Sequence, residues 1–284
     1  MLFPIKINSL KYYKNFSKNE FFSEENSYNY IIPFLLKKIK ILNFFKTSSQ
    51  HRHLQTQNYI INNLNLKDKI ILDCGVSDAS SSIYLINKKL NILKHYYLTD
   101  NFINIKFKIS KKSILLFYNN EPILYFNKYL LIFIADIKNF FLKSIIKYKI
   151  NYNFDNYKKF YDYVFWYKIE KKFSNNKNIT FLKYDIFTSW KHNNVDIIII
   201  GNVLNKSYFS DKKIIESLKN LNKNLNNNGY LIIIDNIGKS DQENSSIFKK
   251  YGNYYSHCVD IKNGTRIKKL IYKTFKIYPK NFIS

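Results

Sequence analysis

The segment KIILDCGVSDAS, residues 69–80, decides how the rest of this sequence is interpreted. It begins as a short apolar run, reaches an acid at Asp73, passes through small residues and leads into a helical pattern at residues 81–89. The loop after the first strand of a doubly wound α/β sheet has this form, and it presents a nucleotide-type ligand at the carboxyl end of that strand. Small residues let the backbone approach a ligand, and the helix N-terminus favours a negative group. An ordinary strand-to-helix turn has the same pattern, so this segment alone leaves both interpretations open.

Four later apolar runs repeat the pattern along the chain. Each has an acid or an amide at or near its end: residues 94–100 with Asp100, 178–186 with Asp185, 195–202 with Asn202, and 230–235 with Asp235. The third of these runs is almost continuously apolar, as strands of a parallel sheet are when helices cover both faces. One acid at a strand end is usually a helix cap, but its recurrence along one edge predicts a ligand site.

Together these segments resemble the class I S-adenosylmethionine-dependent methyltransferases over roughly residues 66–275. Asp73 and the residues after it are similar to the family's first motif, in which glycines at alternate positions follow an acid. Gly75, Ser77 and Ala79 stand at those positions. The segment NNNGYLII, residues 226–233, resembles the family's turn and fifth strand. The chain departs from the family pattern where Ser77, Ala79 and Asn228 replace glycines.

The resemblance implies S-adenosylmethionine as the cofactor, bound partly by the first loop. Asp73 would order this loop and bind the amine of the methionine part. Gly75, Ser77 and Ala79 would let the backbone pass close to the cofactor.

The resemblance also implies roles for residues at the ends of the later strands. Asp100 would hold the ribose hydroxyls. Asp185 and the Ile186 N–H would bind the adenine edge, and Asn202 would lie nearest the reacting centre. The sequence assigns no catalytic base, and location alone suggests four candidates: Asp235, Asn236, Tyr208 and His257.

The fold that the resemblance implies is a Rossmann-like, doubly wound, seven-stranded and mostly parallel sheet with a C-terminal antiparallel hairpin. Two strand-like runs, residues 255–261 and 267–272, flank Asn263-Gly264, and Asn-Gly is a strong hairpin signal. A dinucleotide-binding fold would continue with another strand–helix–strand crossover, and its fingerprint would need glycine at Ser77 and Ser80.

The spacing of the motifs predicts three parts of the chain. These are an N-terminal helical preface at 1–65, a Rossmann-like methyltransferase core at 66–103 and 178–284, and an inserted α+β cap at 104–177. One helix and one strand need only about 25 residues between the second and third acids, which is why an insertion is predicted. Within it we expect short antiparallel strands near residues 106–125 and helices at 132–148 and 157–173. The cap supplies the acceptor side of the site in one interpretation, and is a packing or oligomerisation element in the other.

The net charge of +26 arises from 46 basic and 20 acidic residues, and only Arg52 and Arg266 are arginines. A surface this basic attracts nucleic acid or anionic membrane. A/T-rich coding bias would also produce many lysines without a selected partner. Specific phosphate and base recognition relies on the arginine fork, which is scarce here. We therefore expect weak, non-specific binding to nucleic acid or anionic membrane.

The methyl acceptor is narrowed mainly by motifs that do not occur. The segment NVLN at residues 202–205 lacks the Pro-Pro-aromatic motif of enzymes that methylate base amines. The sequence also lacks a Pro-Cys nucleophile like that of cytosine C5 methyltransferases. A small-molecule or lipid-like acceptor is the leading prediction. The alternatives are an RNA methyltransferase and a catalytically inactive methyltransferase-like binding or scaffold protein.

The cysteines and histidines predict neither a disulfide framework nor a metal site. Cys74 and Cys258 are isolated, and the five histidines are scattered along the chain. Reduced thiols and an N-terminus without the pattern of a signal peptide lead us to expect a cytoplasmic location.

Overall fold

A computed structural model of the chain describes residues 51–101, 104–110, 113–127, 130–134, 137, 140–154, 159–237 and 242–278. Of the first fifty residues it describes 5–6, 27, 31–32, 35, 40–41 and 44–45. The chain divides into two compact units: unit 1 comprises residues 1–46 and 104–165, and unit 2 comprises 47–103 and 166–284.

The secondary structure alternates between strands and short helices in unit 2 and is mainly strand in unit 1. The strands are β1 (Ile5–Lys6), β2 (Lys40–Ile41), β3 (Phe44–Phe45), β4 (Ile70–Cys74), β5 (His95–Asp100), β6 (Asn104–Ser110), β7 (Ser113–Tyr118), β8 (Glu121–Asn127), β9 (Leu130–Phe133), β10 (Tyr161–Val164), β11 (Ile179–Lys183), β12 (Val195–Gly201), β13 (Leu225–Ile237), β14 (Gln242–Tyr251), β15 (Tyr254–Ile261) and β16 (Lys276–Tyr278). The helices are α1 (Leu54–Asn63), α2 (Ile83–Lys89), α3 (Phe140–Phe154), α4 (Tyr167–Phe173), α5 (Asp211–Asn224) and α6 (Lys268–Thr274).

Unit 2 contains a sheet with the order β11-β5-β4-β12-β13-β14-β15-β16. The strands from β11 to β13 pair in parallel, β13 to β15 pair antiparallel, and β16 is parallel to β15. Counted along the chain, the parallel core strands therefore lie in the order third, second, first, fourth, fifth. The predicted α/β class, mostly parallel sheet and antiparallel hairpin are confirmed. The sheet has eight strands among the described residues, whereas seven were predicted.

The C-terminal hairpin lies earlier in the chain than predicted. It is formed by β14 and β15, joined through Gly252, which has a φ of +57°. The second predicted run, residues 267–272, is largely helix α6. Ile267, Leu270 and Ile271 are buried, and their spacing fits one face of a helix. Asn263-Gly264 does not form the predicted hairpin turn, because the residues after it have the spacing of a helix, which competes with the alternation of a strand.

One core of unit 2 packs α5 and α6 against the sheet. The apolar side of α5, which includes Ile214 and Leu218, belongs to the same buried cluster as Leu231 and Ile233 of β13. At the end of α5 the Lys250 ammonium donates to the carbonyls of Asn222 and Leu225, both at 2.7 Å. This lysine satisfies carbonyl groups that a helix C-terminus leaves unpaired.

Unit 1 contains a six-stranded antiparallel sheet with the order β1-β9-β8-β7-β6-β10. The short antiparallel strands expected near residues 106–125 are confirmed as β6, β7 and β8. The two predicted helices begin later than expected. Residues 132–133 end β9, which pairs with β8, and residues 161–164 form β10, which pairs with β6. Helices α3 and α4 follow these strands. Most of the expected preface lies outside the described residues, although α1 confirms a helix at its end. Within the described residues, no helix has both the length and the apolar character that spanning a bilayer requires.

Candidate active site

The sheet order places the carboxyl ends of β11, β5, β4, β12 and β13 side by side in unit 2. Seven of the eight residues proposed to contact a cofactor end or follow one of the strands β11, β5, β4 and β12. The eighth, Asp73, lies inside β4. The structure therefore brings them to one edge. Hydrogen bonds within the protein determine which polar atoms of these residues are available to a ligand.

The loop after β4 has the backbone conformation of a glycine-rich loop. Gly75, Ser77 and Ala79 all have positive φ, at 76°, 56° and 60°. A left-handed conformation costs a residue with a side chain about 1 kcal/mol, so Ser77 and Ala79 are held there by their surroundings. The amides of Gly75 and Val76 donate to the Thr99 carbonyl at 2.7 and 3.1 Å, which attaches the loop to the end of β5.

Asp73 points into the protein and organises the start of α2. Its carboxylate accepts hydrogen bonds from the Ser82 hydroxyl at 2.7 Å and from the Tyr96 hydroxyl at 2.9 Å. Burial raises the pKa of Asp73 to about 6, although both hydrogen bonds act in the opposite direction. The structure places this carboxylate where it orders the loop.

Gly75 is required by a contact within the protein. A Cβ atom on this residue would lie 1.9 Å from a methyl carbon of Val203, which follows β12. The space left by the missing side chain of this glycine is therefore filled by Val203. The neighbouring thiol of Cys74 is buried, and its burial raises its pKa, so it stays protonated and unreactive.

The carboxylates of Asp100 and Asp185 each accept a hydrogen bond from a backbone amide. Asp100 is only 4% exposed and accepts from the Ser77 amide at 2.9 Å. Asp185 is half-buried and accepts from the Phe187 amide at 3.0 Å. Within the part of the chain that the structure describes, the Ile186 amide donates to no acceptor. A ligand acceptor would satisfy this N–H group, as the predicted adenine contact requires.

Asn202 forms a side-chain network with Asn236 and His53. The Asn236 amide donates to Asn202 Oδ1 at 2.5 Å, and because a backbone amide can only donate, the orientation of the Asn202 side chain is fixed. Asn202 Nδ2 then donates to Asn236 Oδ1 at 2.6 Å. His53 Nε2 lies 3.1 Å from the same oxygen and 3.4 Å from Asn202 Nδ2. The shorter contact favours a neutral His53 that donates from Nε2 and has Nδ1 as its unprotonated ring nitrogen.

His53 was not among the predicted site residues, and its ring packs against Gly201 at the end of β12. A Cβ atom at Gly201 would lie 2.7 Å from the imidazole Cε1, so this glycine makes room for the ring. The pattern His51-Arg52-His53 predicts a polar helix surface, although its position just before the first strand could bring it near the site entrance. No local signal could have shown that residue 53 is buried beside residues 202 and 236, which lie far away in the sequence.

Helix α1 is attached to the sheet edge by a second residue that the sequence did not indicate. The buried carboxylate of Glu243 in β14 accepts from the amides of Gln55 at 3.0 Å and Thr56 at 2.8 Å. The Gln57 side chain donates to the Ser81 carbonyl at 2.6 Å, which links α1 to the loop before α2. The buried Gln57 Oε1 has no hydrogen-bond partner among the described residues.

Two of the candidate bases have structural partners, and a third belongs to the network above. Asp235 accepts from the Thr265 hydroxyl at 2.6 Å and the Arg266 amide at 2.7 Å, at the start of α6. His257 contacts Asp260 at 2.9 Å. Asn236 bonds to Asn202, and Tyr208 is partly exposed. In the described ranges, no group of three or more His, Cys, Asp or Glu side chains is arranged to hold a metal ion.

Neither a protein-family model nor a curated protein sequence matches this chain. Among solved structures it is similar to an N-methyltransferase from Bradyrhizobium japonicum in complex with S-adenosyl-L-homocysteine. That match has 11% identity and a TM-score of 0.38, and covers 73% of this chain and 74% of the other. A phosphoethanolamine N-methyltransferase from Haemonchus contortus, with phosphoethanolamine and S-adenosylhomocysteine, has 14% identity and a TM-score of 0.37 over 78% of this chain and 34% of its own.

A mitomycin 7-O-methyltransferase has 10% identity and a TM-score of 0.36 over 66% of this chain and 39% of its own. The chain thus spans less than two thirds of two of these three structures. Sequence identities this low and TM-scores below 0.5 indicate a general structural likeness and no more. By the order and direction of its own strands, the core of this chain has the mostly parallel, Rossmann-like α/β fold that its resemblance to the class I methyltransferases implied.

Proposed function

We propose that this chain is an S-adenosylmethionine-dependent methyltransferase. The observation that carries the proposal is the loop after β4, in which residues 75, 77 and 79 all have positive φ. Ser77 and Ala79 pay a conformational cost that an ordinary strand-to-helix turn does not need. Strain of this kind is retained where the backbone must keep a particular path beside a ligand.

The residues at the sheet edge fit the nucleoside part of the cofactor. The unpaired Ile186 N–H and the second oxygen of Asp185 would hold the adenine edge. The Asp100 carboxylate, which accepts from the Ser77 amide, would hold a ribose hydroxyl. Asp73 keeps the loop ordered through Ser82 and Tyr96. When bound, the sulfonium cofactor would supply an electrophilic methyl group.

Methyl transfer is an in-line displacement, so the protein acts mainly by positioning the two reactants. In this proposal His53 Nδ1 takes a proton from the acceptor, since the network through Asn236 and Asn202 holds the other ring proton on Nε2. A group held in one tautomer loses less entropy when it acts as a base. A small-molecule or lipid-like acceptor is proposed, and an RNA acceptor is the alternative within the same reaction class.

A catalytically inactive, methyltransferase-like binding protein is the second candidate. One observation favours it: the space beside Gly75 is filled by Val203. The cofactor would then have to pass on the other side of this valine, or would not bind.

Isothermal titration of the full chain with S-adenosylmethionine and S-adenosylhomocysteine tests the proposal. We expect binding, and we expect Asp100→Asn to weaken it by roughly 1.5–3 kcal/mol, the range for a hydrogen bond to a charged group. Asparagine keeps an oxygen for the Ser77 amide, so the loop should stay attached while the charge is lost. The exposed Asp211→Asn on α5 is the control and should bind like the wild type. No heat of binding at millimolar cofactor would favour the inactive protein.

A further inference from the structure

The last four strands of the sheet in unit 2 present tyrosines and lysines on one face. Tyr230 of β13 pairs with Lys249 of β14, and Lys249 pairs with Ser256 of β15. Paired residues on neighbouring strands point to the same face, as do residues two apart along a strand. The tyrosine–lysine strip defined in this way consists of Tyr230, Lys249, Tyr251, Tyr254, Lys276 and Tyr278.

Three rings of the strip, those of Tyr251, Tyr254 and Tyr278, contact one another in a row that solvent can reach. Tyr251 and Tyr254 stack with their centroids 5.8 Å apart and an angle of 18° between the ring planes. Tyr254 meets Tyr278 edge to face at 5.0 Å. Tyr278 is 40% exposed, Lys276 is exposed, and the remaining members are partly exposed. On the opposite face the neighbouring residues, such as Leu231 and Tyr255, are buried in the core with α5 and α6.

Positive charge is built into the strip. The Lys249 ammonium lies 5.0 Å from the Tyr251 ring centroid and 5.8 Å from that of Tyr230. Among the described residues of β13 to β16, Glu243 is the one carboxylate on this face, and both of its oxygens are bonded to α1. A cleft of about 820 Å³ adjoins the edge strand, and its lining includes Lys276, Tyr278 and Lys273. The strip is therefore cationic, on a chain whose net charge is +26.

Solvent-accessible tyrosines beside lysines, on a face whose one described carboxylate is hydrogen-bonded to α1, have the chemistry that binds single-stranded nucleic acid. Bases stack on aromatic rings, and ammonium groups contact the phosphates. The strip contains no arginine, so it lacks the fork that reads base edges in pairs of hydrogen bonds. A membrane-binding surface instead inserts large apolar side chains, and the members of the strip all end in a hydroxyl or an ammonium group.

We propose that the tyrosine–lysine strip binds single-stranded nucleic acid by base stacking and phosphate contacts, without sequence preference. The four strands make the strip about 15 Å wide. It lies toward the amino end of β13, whereas the proposed cofactor edge is at the carboxyl ends of the parallel strands. Tyr230 and Asn236 are about 20 Å apart along β13 at the usual rise of a strand. The strip therefore binds its ligand whether or not a cofactor is bound, and the proposal stands apart from the proposed function.

The test measures fluorescence anisotropy of a labelled oligouridylate titrated with the full chain at several salt concentrations. The double variant Tyr254→Leu, Tyr278→Leu removes two stacking rings and keeps apolar bulk. We expect it to bind at least tenfold more weakly than the wild type at the same salt concentration. Lys249→Gln should make the slope of log affinity against log salt concentration less steep, by the amount that corresponds to the loss of about one phosphate contact. A single-stranded oligonucleotide of mixed sequence and the same length should bind the wild type as tightly as oligouridylate does.

The matched control is Tyr167→Leu on α4, because Tyr167 has the same 40% exposure as Tyr278 and lies outside the strip. It should bind like the wild type. Circular dichroism and cofactor titration show whether the strip variants remain folded; if the double variant does not, Tyr278→Leu alone at the edge strand replaces it, with a several-fold loss expected. Equal affinity of the strip variants and the control, or binding to anionic vesicles but not to the oligonucleotide, would overturn the proposal.

Discussion

At the scale of single residues, Asp73 is a carboxylate that the fold holds in an unfavourable environment. Its burial raises its pKa to about 6, above the usual value of 3.8. The folded protein thus holds this proton more tightly than the unfolded chain does. The destabilising contribution of Asp73 is fully present above pH 6 and disappears as the pH falls from about 6 to below 4.

Asp73→Asn should therefore change the pH dependence of stability. The free energy of unfolding of the variant, relative to wild type, should rise by about 2–3 kcal/mol between pH 4 and pH 7, because a pKa shift of about two units corresponds to that energy. Urea denaturation at a series of pH values measures it. The exposed Asp68→Asn is the control and should show little change with pH. A pH-independent difference for Asp73→Asn would mean that this carboxyl titrates normally.

His53 is the other residue whose surroundings determine its chemistry. His53→Gln keeps a donor for Asn236 Oδ1 and removes the unprotonated ring nitrogen. We expect about a hundredfold lower methyl transfer, the lower end of the usual effect of a general base, with cofactor affinity retained. Transfer of labelled methyl groups to small molecules and lipids of a cell extract measures the rate. His51→Gln, at an exposed position two residues away, should transfer at the wild-type rate; an undiminished rate in His53→Gln would rule out the base.

At the scale of elements, the position of α1 depends on Glu243. Helix α1 has no side-chain cap of its own, and the amides of its first turn donate to this carboxylate from β14. The acid also complements the positive end of the helix dipole. The same helix begins directly after His53, so this attachment sets where the imidazole lies.

Glu243→Ala should destabilise the protein by about 2–3 kcal/mol, since it leaves two helix amides without their buried, charged acceptor. Thermal or denaturant unfolding followed by circular dichroism measures the loss. Glu216→Ala on the exposed side of α5 is the matched control and should change stability by less than about 0.5 kcal/mol. If the two variants were equally stable, water would be replacing the carboxylate at α1.

At the scale of the whole molecule, every residue proposed to contact the cofactor belongs to unit 2. Unit 2 has its own buried cluster and its own sheet, which are the features of a part that folds alone. We propose that unit 2 is the cofactor-binding part and that unit 1, which contains most of the predicted cap, serves acceptor selection.

Joining residue 103 to residue 166 by a short flexible linker, and starting the chain at residue 47, should give a protein that unfolds cooperatively. We expect it to bind S-adenosylmethionine within a few-fold of the full chain and to lose transfer to the native acceptor. Calorimetry and the labelled-methyl assay measure the two properties. The same shortened chain with Asp100→Asn controls for binding at the proposed site. Undiminished transfer would show that unit 1 is not needed for the acceptor.

Local sequence patterns account for the individual strands and helices of this protein. The apolar runs of β4, β5 and β12, the amphipathic pattern of α5 and the small residues after Asp73 are all readable, because strand and helix periodicity and backbone preference act over a few neighbouring residues. Together they predicted a parallel α/β sheet with its acids on one edge. The left-handed conformation of Ser77 and Ala79 agrees with the glycine positions of the family pattern.

The tertiary structure alone decided which of these residues meet. Val203 fills the space beside Gly75, Glu243 fixes α1, and Asn236 sets the tautomer of His53. Each contact joins segments that are distant in sequence, so it depends on strand order and register rather than on local pattern. Residues 267–272 carry both strand-like and helical patterns, and their start is fixed by the hydrogen bonds from the Thr265 hydroxyl and the Arg266 amide to Asp235 of β13. Local conformational preferences determine which segments form strands and helices, and the strand order and packing of the sheet determine which of these segments contact each other.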